Sequence, residues 1–257
     1  MPDISIDALE RRVAQAHGAE RLARLKTLVL TGTVDFVREG VTGTLAIYRE
    51  APERYAEVTV FQAFDRDIGR ARVVFDGKRA ADSVDFAPIE DLYPAQADDI
   101  RVRAWFNPYE DWKTRFPSVR VVGHSQVGRE DVIVVELERA SGVKLTEYYS
   151  KKTYLLRKRE RLVPGLPGRF DRPTATTTEV YDDYRQVAGV MIPHRIEAET
   201  WNGKVVTVIR GAQPNAPIPP GTFALPNSKN SGVVHVRTHS GIGDGTFVNT
   251  RTFQCED

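Results

Sequence analysis

The sequence predicts an α+β fold in which an antiparallel β sheet or open barrel is covered by helices. Three observations predict it. β-rich runs follow one another at hairpin spacing over most of the chain. Turn dipeptides such as Asp76-Gly77 and Asn202-Gly203 punctuate them. Helical patterning is confined to the start and the middle.

Residues 6–26 read as a helix in two pieces. Asp7 is placed to cap the first, Leu9, Val13 and Ala16 form a narrow apolar stripe, and Gly18 stops it. The second piece carries Leu22 and Leu25 on its apolar side. Strands are expected at 27–37, 42–49 and 54–64, divided by Glu39-Gly40 and Ala51-Pro52. Two more, 70–75 and 78–84, flank Asp76-Gly77. Segment 87–116 changes character. Asn107-Pro108 suits a cap and first helical residue, since proline's missing N–H costs nothing there. Tyr109, Trp112 and Phe116 then recur at helical spacing, with Trp105 just upstream. Such an aromatic stripe more often packs a core than lines a ligand site.

Strands resume at 119–126, 132–138, 144–149 and 154–162, and residues 163–173 are too proline-rich for regular structure. A three-stranded meander follows at 180–187, 190–198 and 204–209. Within it Val190, Ile192, His194, Ile196 and Ala198 share one face, because successive strand residues alternate. Pro193 cannot donate to a ladder and is expected at an edge or bulge. Residues 213–226 read as extended, with Phe223 and Leu225 as anchors on the body. One domain over 3–226 is expected, then a polar, glycine-rich tail, 227–257, loosely attached or poorly ordered.

Composition excludes several function classes. A net charge of +1 gives no bulk attraction to nucleic acid or anionic membrane. The densest basic cluster, Lys151, Lys152, Arg157, Lys158, Arg159 and Arg161, has only Tyr154 as an interleaved aromatic, and reads as a solvated strand face. No apolar run approaches the roughly 20 residues of a membrane span. The start, Met1-Pro-Asp-Ile-Ser-Ile-Asp, lacks the basic-then-apolar pattern of a signal peptide. Cys255 is the sole cysteine, so no internal disulfide forms.

Catalytic chemistry is not evident. His235 and His239 have helical metal spacing but lie in the glycine-rich tail, without a suitably spaced acid or thiol, so no metal is expected. His124 and Ser125 are strand neighbours and face opposite sides. The pairs Asp98-Asp99 and Asp182-Asp183 diverge in an extended chain and make no acid/base dyad. Gly241-Ile-Gly-Asp-Gly245 lacks the strand and helix of a nucleotide loop. No cofactor is implied.

One resemblance spans residues 5–226. It rests on His17-Gly-Ala-Glu-Arg-Leu-Ala-Arg-Leu-Lys26, Gly32-Thr-Val, Gly43-Thr with Ala51-Pro-Glu-Arg54, and Val74-Phe-Asp-Gly-Lys78. Tyr184-Arg-Gln-Val-Ala-Gly-Val-Met-Ile-Pro193 and Phe223-Ala-Leu-Pro226 complete it. In these segments the chain resembles the lipoprotein-sorting carrier and receptor proteins of the Gram-negative envelope, the LolA/LolB-like group. The resemblance implies a strongly curved open half-barrel, covered by the N-terminal helix and the mid-chain segment, whose concave face takes up acyl chains. It further implies a noncatalytic, periplasmic or envelope-located protein with a lipid or acylated protein as partner. The chain is expected to be a monomer. Trp105, Tyr109, Trp112, Phe116, Ile192, His194 and Ile196 are the expected cavity residues. The alternative is a noncatalytic interaction or regulatory module with a filled core. It would suit the front domain of an aspartic-protease-type protein, although the chain has no D-[ST]-G loop.

Overall fold

The computed structural model describes residues 4–64, 66–85, 91–165, 174–200 and 203–226, and the backbone of 236–241 and 246–251. The chain begins with α1 (Ile6–His17) and α2 (Ala19–Leu22), then five strands: β1 (Thr27–Phe36), β2 (Val41–Glu50), β3 (Arg54–Ala63), β4 (Arg66–Phe75) and β5 (Ala80–Val84). Helices α3 (Pro94–Ala104) and α4 (Trp112–Arg115) follow. Seven further strands complete the sheet: β6 (Ser118–Val127), β7 (Glu130–Glu138), β8 (Lys144–Ser150), β9 (Leu156–Val163), β10 (Ala175–Val187), β11 (Val190–Thr200) and β12 (Gly203–Pro214).

These twelve strands form one antiparallel sheet in the order β5-β4-β3-β2-β1-β12-β11-β10-β9-β8-β7-β6. Two meanders, β1–β5 and β6–β12, are thus zipped together where β1 pairs with β12. The sheet is open, with β5 and β6 as its edges, and the helical segment connects one edge to the other. Helix α3 lies against β3, β4 and β5 on one flank and β9 on the other. In a flat sheet β3 and β9, six strand spacings apart in that order, would be roughly 29 Å apart. A helix is only about 10–12 Å wide, so the sheet curls around it.

The register shows where the curl is eased. β1 and β12 shift register between Thr31 and Gly32. A Cβ on Gly32 would stand 2.1 Å from the Val208 carbonyl oxygen, so the strands approach there as only glycine allows. On the other side of β12, pairing with β11 starts only at Arg195. Pro193 lies beyond that ladder, where its missing N–H removes no bond to β12, as an edge position requires.

Burial follows the curl. Leu9 and Val13 of α1 pack with Trp105, Trp112 and Phe116 onto Ile133, Val135, Leu137, Leu145 and Leu156. Ile100 and Ala104 of α3 pack on Tyr55 and Phe75. Residues Ala56 and Val74, one step along the same strands, face the other side, where Phe223 covers them and Leu225 and Ile218 lean against the cluster. Burying a phenylalanine this way contributes about 1.5–3 kcal/mol, which anchors the extended segment to the back of the sheet.

Three expectations are corrected. Ser5, not Asp7, caps α1: its hydroxyl accepts the Ala8 N–H at 3.3 Å, while Asp7 sits in the first turn and pairs with Lys113. Asn107-Pro108 starts no helix. Asp111 adopts φ +62°, breaking the chain before Trp112, so only the single turn of α4 forms. The longer mid-chain helix is α3, upstream, with Pro94 in its first turn. It escapes an amphipathic reading because strand walls on both flanks bury residues all round it, Ala95, Asp99, Ile100, Val102 and Ala104. The proline-rich expectation at 163–173 lies mostly outside the described residues, as does the tail. Within the tail, β13 (Val236–Gly241) and β14 (Thr246–Arg251) pair with each other in a separate two-stranded sheet.

Candidate ligand cavity

Among the described residues, two cavities stand out on the concave side. The larger, about 590 Å³, is lined by residues of both meanders, including Phe36, Val41, Phe61 and Val73 on one side and Val163, Ala175 and Val205 on the other. Tyr93, Gln96 and Ile100 of the α3 region close it from above. The smaller, about 250 Å³, lies deeper, among Leu28, Leu30, Ile47, Leu156, Ile192 and Ile209. Arg103 and Arg161 line both and so stand between them.

That divide is ionic. Arg103 reaches from α3 to Glu57 on β3 at 2.6 Å, and Arg161 of β9 reaches Asp99 on α3 at 3.2 Å. Arg159 lies opposite Glu147 on β8 and Glu179 on β10 in the strand registers. It holds Glu147 at 2.7 Å and lies 4.0 Å from Glu179. Tyr55, Tyr149 and Tyr181 each donate a hydroxyl to a neighbouring acid, Glu57, Glu147 and Glu179 respectively. Burial works against charge on Arg159, but Tyr181, Glu147 and Glu179 outweigh it and hold its pKa well above the ordinary guanidinium value. Burial would likewise raise Glu179, yet Arg161 and Arg159 keep it below the usual carboxylate range. Arg159 and Glu179 stay charged because each has partners of opposite sign.

The basic cluster of the sequence is therefore split. Lys151 and Lys152 are exposed, but Arg159 and Arg161 point inward to acids, which corrects the reading of a solvated face. Alternation along β9 gave one signal, since residues 159 and 161 share a face. The acids opposite them emerge only once strand register is known.

Of the residues expected in the cavity, Trp105, Tyr109, Phe116, Ile192 and Ile196 all line the smaller one. Trp112 and His194 line neither. Trp112 is 1% exposed, stacks on Tyr149 and donates its indole N–H to the Pro108 carbonyl at 3.2 Å. His194 is buried and its Nδ1–H donates to the Ile192 carbonyl at 2.9 Å.

Sequence reasoning passed over His17. It is fully buried at the end of α1, stacked 3.9 Å from Tyr109 and edge-on to Tyr149 and Tyr184. Its Nδ1–H donates to the Val13 carbonyl and its Nε2 accepts the Leu156 N–H. Burial lowers its pKa to about 4, so it is a neutral imidazole at ordinary pH. Through Tyr109 it supports a wall of the smaller cavity. Among the described residues no group of His, Cys, Asp and Glu is arranged to hold a metal ion, and no helix is long and apolar enough to cross a membrane.

No family model matches the sequence, and neither does any curated protein. Solved structures do. A LolA superfamily protein from Nitrosomonas europaea matches with TM-score 0.54 at 12% identity, over 86% of this chain and 98% of that one. A domain described as belonging to an outer-membrane lipoprotein-sorting protein from Vibrio parahaemolyticus gives 0.51 at 13% identity, over 84% and 97%. A DUF1329 family protein from Desulfovibrio piger gives 0.53 at 8% identity, over 84% and 96%. The likeness is one of fold: this chain has the curved-sheet architecture of LolA superfamily proteins.

Proposed function

We propose that this chain is a noncatalytic protein of the cell envelope that holds an acyl chain, lipid or acylated protein against the concave face of its sheet. The observation that carries the reading is the cavity of about 590 Å³ between the two meanders, walled mainly by apolar side chains. Its size falls within the range of ligand pockets. Each methylene moved into it from water contributes roughly 0.8 kcal/mol, so about ten carbons are needed to approach the roughly 8 kcal/mol of micromolar affinity. α3 closes one side and keeps the empty cavity from presenting a large apolar patch. The fold likeness supports an envelope location without fixing a ligand.

Native mass spectrometry of gently purified protein, followed by titration with an acyl-chain fluorophore, tests this. The expected result is copurified lipid, or saturable displacement weakened by Val205→Asp, in the wall of that cavity, in a variant shown to be folded. A folded protein with neither lipid nor saturable binding overturns it. The ionic partition favours one competing reading, a module whose concave side is filled by its own residues and which works by contact with another protein. That reading gains if the folded protein binds no acyl probe.

A further inference from the structure

Three arginines of the concave side are held by acids; Arg49 is not. Arg103 has Glu57, Arg159 has Glu147, and Arg161 has Asp99. Arg49, on β2, lines the smaller cavity, and among the described residues no carboxylate lies within ion-pair distance of it. It makes one hydrogen bond, from Nη1 to the Trp105 carbonyl at 3.1 Å, and its guanidinium carbon stands 5.3 Å from the Tyr55 ring centroid. Among the described residues its guanidinium makes no second hydrogen bond to the protein. A guanidinium presents a planar fork that matches a carboxylate, and a buried charge is ordinarily paired. Burial lowers its pKa from the guanidinium's ordinary value; Tyr55 and Tyr109 oppose that shift, while the cationic neighbours Arg103 and Arg159 add to it.

The surroundings restrict what could pair with it. One part of the wall is ionic, with Glu57, Glu147 and Glu179 set against Arg103, Arg159 and Arg161, so that Arg49 is the fourth arginine against three acids. Leu22, Leu28, Leu30, Ile47, Ile192 and Ile209 form an apolar part beside it. A volume of about 250 Å³ lies just below the usual range for pockets that enclose a drug-sized ligand, roughly 300–1,000 Å³. It suits one chain rather than several. We infer that the smaller cavity is a subsite for a single-chain lipid with an anionic head, a fatty carboxylate, whose head pairs with Arg49 while its first methylenes lie along the apolar wall. This rests on the acyl-binding reading and adds to it the charge and number of chains of the ligand.

The test compares dodecanoate with 1-dodecanol, equal in chain length and different in charge, on the intact chain freed of bound lipid. Affinities are read by calorimetry and by tryptophan fluorescence, for which Trp105 in the wall is the reporter. A charge-assisted pair predicts that the wild-type chain prefers the acid by about tenfold or more. Arg49→Met should reduce the preference to near unity with little change in affinity for the alcohol, and Arg49→Lys should keep part of it. Equal affinity for acid and alcohol in the wild-type chain overturns the anionic subsite while leaving acyl binding intact. Binding of neither ligand removes the acyl-binding reading as well. If Arg49→Met fails to fold, the wild-type ratio and Arg49→Lys decide between these outcomes.

Discussion

The backbone N–H of Leu156 donates to Nε2 of His17 at 3.3 Å, tying the last turn of α1 to the first residue of β9. Because Nδ1–H is engaged by the Val13 carbonyl at 2.9 Å, the imidazole has one tautomer available and no room for a second proton. Protonating Nε2 would set two N–H groups against each other in a buried, aromatic-walled site.

This gives a pH dependence with a definite sign. The folded-state pKa of His17 is about 4, against 6.5 in the unfolded chain. Between those values the unfolded state binds the proton and the folded state does not. The stabilisation is therefore fully present above about pH 6.5 and is lost as pH falls toward 4. The whole increment is about 3 kcal/mol. Urea unfolding at pH 7.5 and pH 5 should show about 2 kcal/mol of loss from this residue. His17→Gln, which does not titrate, should start less stable and lose correspondingly less. Equal losses in the two proteins would assign the acid sensitivity elsewhere.

Gly18, the next residue, carries a second prediction. It has φ +73°, and a Cβ there would meet the Gly189 carbonyl oxygen at 2.1 Å, a contact between two backbones that no side-chain rotation relieves. Gly40 has a similar φ of +65° with open space around it. Gly40→Ala should cost about 1 kcal/mol, for conformation alone. Gly18→Ala should cost about 3 kcal/mol or more, because the β10–β11 turn must move away from α1. Thermal unfolding of the two variants side by side measures the difference.

The cap of α1 separates Ser5 from Asp7. Ser5→Ala removes the acceptor of the Ala8 N–H and should cost about 1 kcal/mol. Asp7→Ala loses an exposed pair with Lys113 and a favourable charge near the helix N-terminus, at about 0.5 kcal/mol. A larger loss for Asp7→Ala would restore the sequence-based assignment.

That small error typifies what the sequence could and could not disclose. Alternation and turn dipeptides located all twelve sheet strands because both act over a few residues. The meander around Ala188-Gly189 and Asn202-Gly203 is the clearest case, with its ladders at β10–β11 and β11–β12. The helices were harder. α3 is enclosed by strands from both meanders, β3 to β5 before it and β9 after it, so no single apolar stripe marks it, and Asp111 cut short the aromatic stripe that did look helical. At the candidate site, Trp105, Tyr109, Phe116, Ile192 and Ile196 were legible as large apolar groups facing inward. The ionic divide was not. Pairing Arg159 with Glu147 and Arg103 with Glu57 depends on register and on where α3 crosses, and neither is a local property.

The pair Arg159–Glu147 supplies the sharpest energetic test of that divide. Glu147 is only 4% exposed, and besides Arg159 it accepts a hydrogen bond from Tyr149, whose own pKa burial and this acid push well above its ordinary value. Arg159→Met therefore strands a buried carboxylate and should destabilise by about 3 kcal/mol. Glu147→Gln leaves Arg159 with Glu179 and Tyr181, at 4.0 Å and 3.2 Å, and should cost less. Combining the two removes both the uncompensated charge and its partner. The double variant should then be more stable than the sum of the single losses predicts, with a coupling of about 1–3 kcal/mol. Denaturant unfolding of the four proteins at pH 7.5 measures it. Strict additivity would mean that the two side chains do not stabilise one another across β8 and β9, and that the partition is held by packing alone.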